Sequence, residues 1–170
     1  SCTGWPATPV ADRRGSGTGV DTMSDTPSAS LPVSPAEGRH LCGLLVLTLA
    51  DDSPVGTGVL ADSLGVSGPT VTETIKTLDE AGLVTHEPYV GVELAPRGER
   101  IARDLLWRRC LVQQFFETVV DVSLDADQAY RIGRIVPSGG LSRLDDQLSR
   151  PCDRPCEATD ALDCERLVSR

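Results

Sequence analysis

"LADSLGVSGPTVTETIKTLDEAGLV", residues 60–84, decides the fold. With Val59 ahead of it, the first part is a short helical pattern closed by Gly65, a residue that ends helices in the left-handed conformation without steric penalty. Ser67 then stands as an N-cap, with Pro69 in the first turn, where a missing N–H leaves no bond unmade. Val71, Ile75 and Leu78 recur at i, i+4 and i+7, one face of a helix that Gly82 ends. A short helix, a tight turn and a capped second helix make the unit that lays its second helix in a DNA major groove.

Upstream, "SPAEGRHLCGLLVLTLAD" carries a capping box: Ser34 as N-cap, Pro35 at the first helical position and Glu37 three residues past the cap. A helix over about Pro35–Ala50 follows, then a turn through "DDSPVGTG". Downstream, "LVTHEPYVGVELAP" is two short β-rich runs around a Pro-Tyr-Val-Gly turn, a hairpin. A long helix over about Arg97–Val120 comes next. "DADQAYRIGRIVP" and "SGGLSRLDDQL" give two shorter helices, each with a capping Asp or Ser near its start. Helix, short helix, helix and hairpin spell a winged helix-turn-helix. The fold class is mainly α, with that DNA-binding domain at 35–96 followed by a helical dimerisation and metal-binding domain at 97–149. Residues 150–170 form a cysteine-containing tail. Residues 1–34, rich in Gly, Ser, Thr, Pro and Asp and without apolar periodicity, are expected to be a disordered N-terminal extension. Met23, the only methionine, marks the expected native start, so Cys2 and Trp5 carry no functional weight.

The composition sets bounds. The 170 residues suit one compact domain with an appendage. Hydrophobic residues are 39% but aromatics only 4%, so the core must be aliphatic. The longest apolar run, "LCGLLVLTLA" (41–50), is about half the ~20 residues needed to cross a bilayer. No basic-then-apolar secretion signal is present. A cytoplasmic protein without a membrane partner is therefore expected. Against 25 acidic residues stand 16 basic ones, of which Lys76 alone is lysine. Such a balance fits a halophilic protein, whose carboxylate surface stays solvated in concentrated salt; a generic acidic protein of a GC-rich genome is the alternative. A net charge of −9 argues against nonspecific nucleic-acid binding through a basic surface.

Specific binding has its own residues. Ser67, Gly68, Pro69, Thr70, Thr72 and Thr74 make the start of the second helix small and hydroxyl-rich, so it can sit deep in a groove with hydroxyls and N–H groups at phosphates. Lys76 can reach a phosphate from the exposed face, and Arg97, Arg100 and Arg103 follow the wing. Glu73 projects where a base-reading side chain lies; a carboxylate there accepts from cytosine N4 but repels phosphates. The alternative is a packing or protein–protein module. No Cys-His pair, Gly-rich phosphate loop or carboxylate dyad marks an enzyme.

"VSGPTVTETIKTLDEAGLV" resembles the signature of the diphtheria-toxin-repressor family of metal-dependent regulators of iron and manganese uptake. The likeness extends from Ala36 to about Leu148 and corresponds to a short, haloarchaeal-type form without the SH3-like domain. It implies a homodimeric repressor that binds palindromic operators in double-stranded DNA, with a divalent metal ion as corepressor. It also implies ligand positions, and most of those are altered. His40 stands where the first helix supplies a ligand. Cys110 and Gln114 replace a His and a Glu on the long helix, and the next helix has Ala126, Tyr130, Gly133 and Arg134. Arg134 would place a fixed positive charge in the site, so the usual metal-sensing site is expected to be dead.

The same resemblance folds the segment after the last helix back beside Cys110. Here that segment contains Cys152, Cys156 and Cys164. Four thiols match the ligand count of a tetrahedral zinc site or an iron–sulfur cluster, with iron and manganese as further candidates. The C-x3-C-x7-C spacing matches no standard finger, so a thiol–disulfide redox switch and inert thiols remain open. Cys42 is expected in the core and His86 at the surface of the wing. The sequence therefore points to a metal- or redox-responsive DNA-binding regulator. A winged-helix regulator without ligand control, carrying a structural zinc, is the alternative.

Overall fold

The structure, a computed structural model, describes residues 31–50 and 53–148. The elements run α1 (Pro35–Ala50), α2 (Thr57–Leu64), α3 (Gly68–Glu80), β1 (Val84–Glu87), β2 (Gly91–Leu94), α4 (Pro96–Thr118), α5 (Ala126–Ile135) and α6 (Ser138–Asp146). Among the described residues, no helix is long and apolar enough to cross a membrane.

The local signals act as their chemistry requires. The Ser34 N–H donates to Glu37 Oε2 at 2.7 Å and the Glu37 N–H to Ser34 Oγ at 3.2 Å, closing the capping box that starts α1. Gly65 (φ 64°) ends α2 and Gly82 (φ 66°) follows α3. Asp125 and Gln128 form a second reciprocal box at the start of α5. α6 departs from expectation: Pro137 occupies the cap position, and no side chain caps the helix. Its Ser142 hydroxyl instead donates back to the Ser138 carbonyl at 3.1 Å. α2 begins two residues before Val59, because Gly56 turns the chain in an extended conformation without a capping side chain.

β1 and β2 pair antiparallel, with Val84 opposite Leu94 and Glu87 opposite Gly91. Val55 bridges to Val92 through two backbone hydrogen bonds, so the segment ahead of α2 braces the hairpin. The core lies in two parts. The larger joins Leu41, Leu44 and Leu45 of α1, Leu60 and Leu64 of α2, Val71, Ile75 and Leu78 of α3, the hairpin, and Ala102, Leu105 and Leu106 of α4. Leu111 and Val112, further along α4, pack with Ala129 of α5 and Leu141 of α6 in the smaller part. Full burial of each leucine stabilises by roughly 1.5–3 kcal/mol, so α3 is held by one face and presents the other outward. Val33 is buried and Leu31 packs on the same core, so the end of the segment expected to be disordered belongs to the packed body. Two apolar residues separated by Pro32 are too short a pattern to register as periodicity.

Candidate nucleic-acid interface

α3 is anchored from beneath. Val71, Ile75 and Leu78 are each fully buried, whereas Ser67, Gly68, Pro69, Thr70, Thr72, Glu73 and Lys76 are exposed and Thr74 is half-buried. Ser67 Oγ accepts from the Thr70 N–H at 3.4 Å and lies 2.8 Å from the Thr70 hydroxyl, which fixes the first turn. A Cβ on Gly68 would meet nothing, so this glycine does not serve internal packing; it leaves the helix start low and open to a neighbour.

The threonine hydroxyls show a geometry that sequence does not reveal. Thr72 donates to the Gly68 carbonyl at 3.0 Å, Thr74 to Thr70 at 2.9 Å and Thr77 to Glu73 at 3.2 Å. Their protons are turned back onto the helix, leaving the oxygen lone pairs outward. In this arrangement the face offers acceptors, suited to the exocyclic amino groups of bases more than to phosphates.

Basic side chains lie on α3 and in the first turns of α4. Lys76 is loosely paired with Glu80 at 4.0 Å, with both side chains mostly exposed, a pair worth little. Arg97 and Arg100 are exposed at the start of α4. Arg103 is not available in the same way, because its guanidinium donates to Glu99 at 2.6 and 3.0 Å. The wing is tied to α3 by the His86 N–H, which donates to Asp79 Oδ1 at 3.3 Å. His86 is half-buried on β1. At the wing's tip Tyr89 adopts φ 66° and is fully exposed, next to exposed Val90; the tip aromatic carried no sequence signal beyond the turn itself.

Residues 45–92, which span this unit, match the family model described as the iron dependent repressor N-terminal DNA-binding domain. This unit is therefore similar to the DNA-binding domain of the iron-dependent, diphtheria-toxin-type repressors. It is 28% identical over 86 residues to the HTH-type transcriptional regulator MntR of Lysinibacillus sphaericus (strain C3-41), covering 51% of this chain and 60% of that protein. A solved structure described as a manganese-dependent transcriptional repressor in complex with manganese superposes with a TM-score of 0.61 at 28% identity, over 68% of this chain and 53% of that one. The structure of the manganese regulator SloR superposes equally well, with a TM-score of 0.61, at 24% identity over 70% of this chain and 56% of that one, a likeness of fold. The chain thus spans just over half the length of these relatives.

The resemblance implies a divalent metal, and the residues at the ligand positions it predicts do not fit one. His40 is buried; its Nδ1 lies 2.8 Å from the Ala36 carbonyl, and Nε2 has no hydrogen-bond partner. Burial, and next to it the charge of Arg39, hold this imidazole below its usual pKa, while the Ala36 bond opposes them. Tyr130 is buried, and burial keeps its phenol protonated, far above the usual tyrosine range. Arg134 is a permanent cation, 5.7 Å from the centre of the Tyr130 ring. Ala126 and Gly133 have no donor atoms to offer. A fixed cation, a neutral phenol and one imidazole are no set for a divalent ion, which calls for carboxylate, imidazole or thiolate ligands. Among the described residues, no three His, Cys, Asp or Glu side chains form a group that could hold a metal ion.

Cys110 is a half-buried cysteine on α4, and Gln114 lies one turn further on. Cys152, Cys156 and Cys164 lie outside the described residues, so Cys110 is the described member of the expected four-thiol set. Cys42 is in the core as expected: fully buried, with Sγ 3.9 Å from the Ala102 carbonyl and its thiol pushed up to about 12 by burial. Arg109 was not anticipated. It is 1% exposed on the inner face of α4, and its charge lowers the pKa of Cys42 against the effect of burial. An arginine in a helix with four other arginines has no sequence mark that sets it inside.

Proposed function

We propose that this chain is a sequence-specific transcriptional regulator, acting as a repressor, that binds palindromic double-stranded DNA as a homodimer. The observation that carries the reading is the outward face of α3, small, hydroxyl-rich and exposed from Ser67 to Lys76 while its opposite face is locked into the core. Gly68 and Pro69 let the helix start approach bases, and the Thr72 and Thr74 oxygens accept from base amino groups. Lys76, Arg97 and Arg100 supply phosphate contacts, and Glu73 discriminates at cytosine. Dimerisation through the helical half is supported by Val119, Val120, Val122 and Ile135, which stand exposed at the ends of α4 and α5. The likeness to a manganese-dependent repressor supports a place in metal homeostasis, of manganese or iron. A metal or redox input would come through Cys110 together with Cys152, Cys156 and Cys164, with zinc, iron or manganese as the ion. The winged-helix regulator without ligand control is the second reading, and the Arg134 cation at the expected ligand position favours it.

Selection of duplexes from a random pool, followed by footprinting, tests the DNA reading. The expected result is a palindromic site protected on two major-groove faces about one helical turn apart. Glu at both Pro69 and Thr70 should abolish protection while the dimer persists by ultracentrifugation. Unchanged affinity in that double variant would sink the assignment.

A further inference from the structure

The surface where α5 meets the chain entering α1 is crossed by a connected set of hydrogen bonds. Arg134 Nη2 donates to the Val33 carbonyl at 2.7 Å, and Nη1 donates to Tyr130 Oη at 3.3 Å. Tyr130 in turn donates its own proton to the Pro35 carbonyl at 2.9 Å. Each donor thus meets an acceptor in one connected chain, guanidinium to phenol to carbonyl. One turn away, Arg39 lies 3.8 Å from Asp127, which also binds Arg131 at 2.7 Å. Gly38 completes the fit: a Cβ there would collide with the Tyr130 hydroxyl and lie 2.9 Å from a Leu105 methyl and 3.0 Å from Arg134 Nη1. Tyr130 is 2% exposed, so its hydroxyl bond is made in a water-poor setting where losing it is costly.

We infer that Arg134, oriented by Tyr130, is the cation that fastens α5 to the entry of α1, in the position where relatives are expected to use a divalent ion. Tyr130 and Arg134 are positioning residues. α1 shares one core with α3, through Leu41, Leu44 and Leu45 against Val71, Ile75 and Leu78. A change in how α1 sits on α5 therefore moves the reading helix relative to the helical half. A built-in cation holds this joint closed without an ion from solution, so the joint itself is constitutive. Any metal or redox response must enter elsewhere. The inference rests on the DNA-binding reading only for its consequence, not for the latch.

The test uses the full chain in a Cys110→Ser background, which removes the other proposed metal route. Hydrogen exchange of the amides over residues 37–41 is measured with EDTA and with 1 mM MnCl2, alongside affinity for the duplex selected by the wild-type chain. Unsubstituted at 130 and 134, the chain should show the same exchange and the same affinity in both solutions. Arg134→Met keeps the aliphatic bulk and loses the charge and donors. It should raise exchange at α1 and weaken DNA binding by about tenfold, whereas Arg134→Lys, still a cation, should recover most of both. Tyr130→Phe should fall between, weakening binding by about three- to tenfold. Exchange in Arg134→Met equal to wild type would overturn the latch, since bulk alone would then suffice. So would protection of α1 by manganese in the chain with Arg134 intact. A chain that binds no duplex but exchanges as expected would defeat the DNA reading and leave the latch standing.

Discussion

Gly98, in the first turn of α4, faces the Leu83 carbonyl so closely that a Cβ would overlap it. That carbonyl also accepts from the Ala95 N–H at 3.1 Å, so it cannot withdraw without giving up a bond. The hairpin and the long helix are thereby pressed together at the base of the wing, beside exposed Arg97 and Arg100. Gly98→Ala should lower stability by about 1–3 kcal/mol, as overpacking against fixed atoms does, and should shift the wing. Denaturant midpoints and the length of the wing's footprint measure the two effects. A variant of wild-type stability would show that α4 slides freely on the hairpin.

Much of this arrangement was legible because its signals are local. The spacing of Val71, Ile75 and Leu78, the Ser34–Glu37 box and the glycines at 65 and 82 each act within a few residues. What was not legible depends on partners far along the chain. Arg134 could be recognised as wrong for a metal site, but its acceptor, the Val33 carbonyl, lies 101 residues away and leaves no side-chain signature. Val33 falls within the segment whose sequence reads as disordered for the same reason: its burial comes from tertiary packing and not from any local pattern. The threonine hydroxyls of α3 show a subtler limit, since residue type cannot say whether a proton faces the helix or the solvent.

Salt should distinguish this interface from a lysine-rich one. With Lys76, Arg97 and Arg100 each neutralising one phosphate, log K should fall with log salt at a slope of roughly −3 per protomer, near 0.9 for each contact. The acidic remainder of the surface, within a net charge of −9, adds no further contacts. Binding measured by anisotropy from 0.2 to 2 M KCl should therefore decline gently. A dimer slope steeper than about −8 would mean that bases outside this set, Arg103 among them, are recruited to the backbone.

Acid should act through His40. Its imidazole is buried, has an unpartnered Nε2 and titrates below 6.5 when folded, so the unfolded chain binds the proton more readily. Its contribution to stability is complete above about pH 6.5 and is lost as pH falls through that value, because protonation then favours unfolding. Urea midpoints at pH 8 and pH 5.5 should differ in the wild-type chain by more than in His40→Leu, which removes both the titration and the unpaired nitrogen. Equal differences in the two proteins would show that the carboxylates alone set the acid limit.

The thiols give the last expectation. Cys42, fully buried and with its pKa pushed up to about 12, stays protonated and out of reach of reagents while the chain is folded. Cys110 is half-buried, and a thiolate on α4 can ligate only if other donors reach it. If Cys152, Cys156 and Cys164 are those donors, bound zinc should protect all four from iodoacetamide, and EDTA should expose them together. Serine at any one of the four should then lower zinc content by a similar amount, as read by elemental analysis. The discriminating variant is Cys110→Ser. Full metal content there would mean that the tail binds alone, with no contact to α4. Loss of metal would instead clamp the tail to the helix that carries both parts of the core, giving a bound ion a mechanical path to the spacing of the two reading helices.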